Sequence, residues 1–367
     1  MTDKNSGIDF VIRQFCAVLF CLFSFIYLYF FQADIIAYGQ HVLSHGQTYY
    51  NRHIGAFLIT LVLYLLALIV RQFTSVIFKH REPSYLHALT YLPSCYVLGR
   101  ITHVSIGMDN SFSWGLYMLA LCAVLVVYGL LALGVKFIIE LISTDETLPM
   151  TNARKFWMNI MWATGLFIMT GAMGNSNDVL HYRLAAERHI AKEEYDKALL
   201  VGEKSLVKDS SLTMLRAFAL SKQGQLAERL FEYPLIGGSE ALRPHKNVRF
   251  LMLPLKTFYR VGQTPKDYIL IGYLLDCKID AFASNIGKYY HINDSLPKHY
   301  REALILYKHL RSNPKVVYQN AVLDADFKDL MDMQKKYPER RSRINAIIDS
   351  YWNTYWAYYF VNRLSSK

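Results

Sequence analysis

Apolar residues are unevenly distributed along this chain. Up to about Met173 they gather into long runs, and beyond it they recur every three or four positions among polar residues. Five runs precede the change, at residues 10–31, 54–78, 85–99, 112–135 and 156–172. A helix rises about 1.5 Å per residue, so a hydrocarbon core of roughly 30 Å takes about 20 residues to cross. The first, second and fourth runs meet that requirement. The third is short and contains His87 and Pro93, and the fifth is only just long enough. The first run lacks a small-x-small cleavage site and ends in Tyr27, Tyr29, Phe30 and Phe31, so it reads as an uncleaved anchor. The expected fold is all-α, with a five-span transmembrane bundle over residues 1–173 and a soluble helical domain over 174–367.

Charge tests the number of crossings, because short cytoplasmic loops collect Lys and Arg. With five spans and a cytoplasmic N-terminus, the inner segments hold Lys4, Arg13, Arg71, Lys79, Arg81, Lys136, Arg154 and Lys155. The short outer loops keep only Arg52 and Arg100. Removing the third run would move the loop between Lys136 and Lys155 outside and abolish the bias. An odd number of crossings places the C-terminal half on the extracytoplasmic side.

That half predicts helices of about a dozen residues joined by short polar turns. The clearest unit, 178–206, sets Tyr182, Ala185, Ala186 and His189 on one face. A turn at 192–194 comes next, then Tyr195, Ala198, Leu199 and Gly202 on a second helix. A looser unit covers 212–230 with Gly224 at its turn, and another spans 268–290, turning near Lys278 to Asp280. The stretch 232–248, with Pro234, Gly237, Gly238 and Pro244, interrupts the series. Tyr195-Asp196-Lys197-Ala198 and Tyr300-Arg301-Glu302-Ala303 resemble the start of the second helix of a tetratricopeptide repeat, in which alanine follows an aromatic by three positions. Arg229 stands where that repeat has alanine. The resemblance implies a short, irregular solenoid of three to five hairpins that binds peptides or helices along a concave face. A compact bundle without a groove is the alternative.

The whole chain also resembles a family of uncharacterised bacterial multispanning proteins, mostly from Bacteroidota, that pair a membrane half with a repeat-like half. The resemblance lies in Gln40-His41-Val42-Leu43-Ser44, Tyr50-Asn51-Arg52-His53-Ile54-Gly55-Ala56, Ala88-Leu89-Thr90-Tyr91-Leu92-Pro93-Ser94 and His299-Tyr300-Arg301-Glu302-Ala303-Leu304. It implies a multi-pass inner-membrane protein with a periplasmic C-terminal domain, and no particular activity.

Composition narrows the functional classes. The net charge of +11 lies mostly after residue 174, where 30 Lys and Arg face 21 Asp and Glu, against 10 and 8 before it. The signs are interleaved, as on a solvated helical surface, and no nucleic-acid partner is expected. The densest basic patch is Lys335, Lys336, Arg340, Arg341 and Arg343, which also suits anionic lipid headgroups. Four of the five cysteines lie in apolar runs and Cys277 stands alone in the second half, so neither a disulfide framework nor a C-x-x-C metal site is present. No catalytic or cofactor-binding signature occurs, and no cofactor is expected.

The sequence supports two readings of function. The first is a non-enzymatic scaffold on the lipid bilayer that recruits cell-envelope proteins, with Tyr195, Tyr300, Trp352, Tyr355 and Trp356 as partner contacts. The terminal aromatics either cap the last repeat or form a peptide-binding wall. The second is an enzyme or accessory subunit acting on lipid-linked envelope precursors. It rests on Asp34, His41, His45 and Arg52 of the first outer loop, where two histidines four apart would share a face if the loop were helical.

Overall fold

The computed structural model describes residues 2–78, 84–104, 114–142, 151–259 and 265–365. Regular structure among them is helical: seventeen α-helices, with a lone β-bridge between His245 and Val248. The chain forms two compact units, Met1–Asn177 and Asp178–Lys367.

In the first unit α1 (Thr2–Ile26) runs through a π-turn (Tyr27–Phe31) into α2 (Ala33–Leu43), and α3 (Arg52–Ile77) comes next. A 3-10 helix (Ser84–Tyr91) leads into α4 (Leu92–Ile101), and α5 (Trp114–Ile142) and α6 (Asn152–Met173) complete the unit. Among the described residues three stretches are long and apolar enough to cross a membrane: Gly7–Phe31, Arg52–Ile77 and Asn152–Met173. In α5 the apolar stretch is Leu119–Gly134. The Asn51 side chain caps α3 by accepting the N–H groups of His53 and Ile54 at 3.1 and 3.2 Å.

The contacts give the helices a direction. Asp9 pairs with Lys155 at 3.6 Å and Phe15 packs on Phe156 at the starts of α1 and α6; at their other ends Gln32 Nε2 donates to Asn175 O at 3.2 Å. The 3-10 helix and α4 run the same way, with Ser84 at the level of Asn159 and Cys95 at that of Thr170. The helix α3 runs opposite, since Tyr29 near the end of the first helical run stacks beside His53 at the start of α3. Close approach of α4 to α6 requires glycine at position 99, because a Cβ there would lie 2.8 Å from Met173 Cβ.

The 3-10 helix has a local cause. In a continuous α-helix the Pro93 ring would clash with the carbonyl of Leu89 four residues back. Pro93 is accommodated instead in the first turn of α4, and the chain before it winds more tightly. Asn159 of α6, 1% exposed, bonds both ways to the start of that 3-10 helix. Its Oδ1 accepts Ala88 N–H at 2.8 Å and its Nδ2 donates to Ser84 O at 2.8 Å.

The second unit opens with α7 (Asp178–Ala191) and α8 (Tyr195–Leu200), then α9 (Ser210–Lys222) and α10 (Leu226–Arg229). The one-turn α11 (Lys256–Tyr259) precedes α12 (Pro265–Leu275) and α13 (Ile279–Ile286). The series ends in α14 (Lys298–Leu310), α15 (Ala321–Lys336), α16 (Arg340–Tyr351) and α17 (Tyr355–Ser365).

The three pairs α7/α8, α9/α10 and α12/α13 share one turn. Each has three residues, with a left-handed centre at Glu193 (φ 60°), Gly224 (φ 69°) and Cys277 (φ 55°). Each is closed by an N–H bond to the carbonyl five residues back, from Glu194 to His189 (3.0 Å), Gln225 to Leu220 (2.9 Å) and Lys278 to Tyr273 (2.8 Å). The central N–H reaches back three residues in every case, which makes the turn a Schellman C-cap. Six residues past each centre, Leu199, Leu230 and Ala283 are all buried in one core.

Between the second and third turns lies an irregular stretch that Glu187 holds onto α7. This fully buried carboxylate accepts N–H groups from Leu251 and Met252 at 2.7 Å and from Leu253 at 3.1 Å. Burial pushes its pKa up, while those three donors and Arg183 oppose the rise.

The shared turn and the Asn159 bracket each make a prediction, checked by thermal melting of the detergent-solubilised chain. A Cβ at Gly224 meets nothing within 4 Å, so Gly224→Ala isolates the cost of a left-handed backbone, and a loss of about 1 kcal/mol is expected. The reverse change at exposed Glu193, Glu193→Gly, should stabilise by about 0.5–1 kcal/mol. Asn159→Ala leaves Ala88 N–H and Ser84 C=O without their partner and should cost about 2–4 kcal/mol. An unchanged melting temperature in that variant would remove the bracket's structural role.

Candidate interaction surface

The end of the chain is packed around Glu302 of α14, a carboxylate 2% exposed. Its Oε2 accepts the Tyr355 N–H at 2.7 Å and lies 3.0 Å from His299 Nδ1, while its backbone carbonyl accepts Trp356 Nε1–H at 2.7 Å. A carboxyl oxygen therefore sits at the first residue of α17, where otherwise unsatisfied N–H groups call for an acceptor. Thr354 completes the cap by accepting Ala357 N–H at 3.2 Å. Phe231 stacks edge-on against both His299 and Tyr355 with centroids 5.0 Å apart.

This packing decides which aromatic residues are available to a partner. Tyr300, Tyr355 and Trp356, all expected as contacts, are buried side chains of the chain's own core. Tyr300 donates its hydroxyl to Asp267 Oδ1 at 3.0 Å, and burial together with that carboxylate holds its phenol far above the usual range. Tyr195 is half-buried against two core clusters. Its Tyr-x-x-Ala string follows a left-handed turn, whereas that of Tyr300 opens α14 after a longer connection. Trp352, just past the end of α16, alone of the five is exposed, at 58%, and Ile348 four residues earlier on α16 is exposed as well.

Apart from these two residues, an open groove of about 690 Å³ runs between α15 and α16. Met333, Tyr337 and Ala346 give it an apolar floor, and Asp332, Lys336 and Asp349 add charge of both signs. The basic patch divides on inspection. Arg343 is spent on the loop, donating to Tyr337 O at 2.9 Å and Pro338 O at 2.8 Å, and Lys335 pairs with Asp332 at 2.8 Å. Lys336, Arg340 and Arg341 remain on the surface. Local pattern gave no signal for this groove, because it is made by two helices that the sequence joins without a repeat motif.

The four residues singled out between the first two apolar runs lie on and beyond α2. Asp34 is in its first turn and His41 in its last. The helix then ends, and His45 (φ 50°) and Gly46 (φ 77°) turn the chain left-handed. His45 therefore lies outside the helix, and the shared helical face expected for the two histidines does not form. The Arg52 guanidinium covers the Tyr29 ring at 5.0 Å. Among the described residues no group of three or more His, Cys, Asp or Glu side chains is placed to hold a metal ion.

A family described as a family of unknown function (DUF6057) matches residues 124–265 and 263–362, well over half of the sequence. The chain belongs to this family. No curated protein and no solved structure matches. The matched DUF6057 region contains all three left-handed turns, both buried glutamates and the α15/α16 groove.

Glu302→Ala leaves the first N–H of α17 and the His299 ring without their acceptor inside the core, and a loss of about 3 kcal/mol is expected. Trp352→Ala removes an exposed ring and should stay within about 0.5 kcal/mol of the parent. Thermal melts of the two variants side by side check this contrast, and equal losses would contradict it.

Proposed function

We propose that this protein is a membrane-anchored scaffold. Five crossings hold a tetratricopeptide-repeat-like hairpin domain on the periplasmic side of a bacterial inner membrane, where it recruits cell-envelope proteins. The observation that carries the reading is one αα-hairpin turn used three times in a chain that also has three membrane-length helices. Repeated hairpins stacked on a common core leave extended surfaces for peptides and helices.

Two further features support five crossings. The 3-10 helix and α4, at roughly 2.0 and 1.5 Å per residue, together extend about 31 Å, the thickness of a hydrocarbon core. The helix α4 finishes at the level of the α6 C-terminus, so the 29-residue α5 has to return the chain to the other end before α6 begins. Alternating directions and the segregation of Lys and Arg agree with a cytoplasmic N-terminus. The surface favoured for a partner is the α15/α16 groove, where Met333, Tyr337 and Ala346 lie among Asp332, Lys336 and Asp349, a mixed apolar and charged strip suited to an amphipathic helix or an extended segment.

Site-specific photo-crosslinking in intact cells tests the reading. A crosslinker at Asn345 in the groove should give a discrete adduct that Tyr337→Ala weakens several-fold, and one at buried Tyr300 should give none. A C-terminal alkaline phosphatase fusion should be active. An inactive phosphatase fusion, or no adduct at any groove position, would overturn the proposal.

A further inference from the structure

At the end of the first unit where α1 begins, α1, α3 and the 3-10 helix enclose a pocket whose two ends differ in chemistry. Arg13 of α1, Arg71 of α3 and the buried His87 line its polar part. Tyr64, Leu68 and Ala17, one to two turns further along α3 and α1, line the rest. Arg13 Nε is buried with no hydrogen-bond partner. The carboxylate of Asp9 lies 3.6 Å from Lys155 Nζ, and of the charged side chains acting on His87 three, Arg13, Arg71 and Lys155, are basic and one, Asp9, is acidic. An arginine fork presents parallel N–H donors matched to a phosphate, and two forks from antiparallel helices facing one pocket converge on a single anion.

We propose that this pocket binds the phosphate of an anionic phospholipid, with Arg13 and Arg71 as its ligands and an acyl chain lying along Tyr64, Leu68 and Ala17. Free phosphate would satisfy the arginines alone. The apolar continuation of the pocket toward the middle of the helices has the polarity gradient of a lipid, and Tyr64, Leu68 and Ala17 are only half-buried, so a chain from the bilayer reaches them. Basic pockets between membrane helices on the cytoplasmic side are a recurrent way of holding anionic headgroups. The inference rests on the membrane reading of the first unit and not on the scaffold role of the second.

The test uses the full chain purified in a neutral detergent, with native mass spectrometry and thermal melting as readouts. Phosphatidylglycerol, phosphatidylcholine and inorganic phosphate are the probes. Phosphatidylglycerol should be retained at about one molecule per chain, should raise the melting temperature, and should outcompete phosphatidylcholine by tenfold or more. Arg13→Gln and Arg71→Gln should each weaken retention about tenfold, and the double variant should abolish the preference. Arg154→Gln removes an equal charge from an exposed position outside the pocket and should change nothing. If either glutamine variant fails to fold, Arg13→Lys and Arg71→Lys keep the charge but lose the fork, and an intermediate loss is expected. Equal retention of the two lipids, an unaltered preference in the double variant, or saturation by millimolar inorganic phosphate with no lipid preference would overturn the site. Failure of the parent chain to incorporate into phosphatidylcholine nanodiscs would instead sink the membrane reading, and this proposal with it.

Discussion

A backbone N–H or C=O removed from water has to find another partner, and each unit meets this demand with a side chain reaching from a different helix. Away from water the cost of an unpaired group is about 1–3 kcal/mol, so a buried helix broken by proline is tolerable only where a neighbour repairs the break. Asn159 does this for the 3-10 helix, covering one donor and one acceptor four residues apart. In the second unit Glu187 collects three consecutive N–H groups of an irregular stretch, and Glu302 takes the first N–H of α17. All three side chains lie on regular helices and serve segments that local hydrogen bonding leaves incomplete. The irregular parts of the fold are therefore tied to its regular parts by directional bonds as well as by apolar contact.

The hairpin turn shows how far one local solution is reused. The αL centre closes two carbonyls at the end of the first helix and aims the next helix back across it. The second helices differ in length: α8 has six residues, α10 four and α13 eight. Helices this short are not stable alone, so tertiary burial has to supply what propagation cannot. Leu199, Leu230 and Ala283 do so at the same position after each turn, which fixes the core side of every second helix while its length varies. Glutamate and cysteine occupy the strained centre in two turns out of three, so the fold bears a backbone cost there that glycine relieves only at position 224.

Much of this was legible from local pattern. The apolar runs coincide with α1, α3, α5 and α6 to within a few residues at most ends, since burial or lipid contact writes composition directly. The turns at 192–194 and at Gly224 were visible from polar and glycine signals. The third was expected near Lys278 to Asp280 and is centred on Cys277, a residue that no turn preference singles out. The roles of Glu187 and Glu302 were not legible. Each sits in a string, Ala186-Glu187-Arg188 or Arg301-Glu302-Ala303, that looks like an exposed helix face, and each partner lies more than 50 residues away. The aromatic run before the C-terminus left a cap and a binding wall both open for a related reason. Tyr355 and Trp356 alternate with half-buried Tyr358 and Phe360, and only the surrounding helices decide which rings are enclosed. One hint was available for Asn159, an uncharged amide in the least apolar of the long runs, where a polar side chain needs a reason to be.

The two units also differ in which residues they turn outward, and this bears on the solvent each requires. Along α3 the buried positions are Ala56, Thr60, Leu63, Ala67, Val70 and Thr74, while Phe57, Val62, Ile69, Phe73 and Val76 are each more than half exposed. Small and hydroxyl-bearing residues face the helices and large apolar ones face away, the reverse of a water-soluble bundle. In water such a face would be an apolar patch far beyond what monomeric proteins carry, whereas lipid makes it neutral and leaves close packing and internal hydrogen bonds to hold the helices together. The hydroxyls provide those bonds: Ser94 to Leu63 O at 2.8 Å, Thr170 to Cys95 O at 3.2 Å, and Thr74 with Tyr128 at 2.8 Å. In the second unit the exposed large apolar side chains, among them Leu206, Leu255, Val322, Ile348 and Trp352, are scattered along the sequence. The two units thus place the same residue types in opposite ways, large apolar side chains outward along α3 of the first and inward in the core of the second.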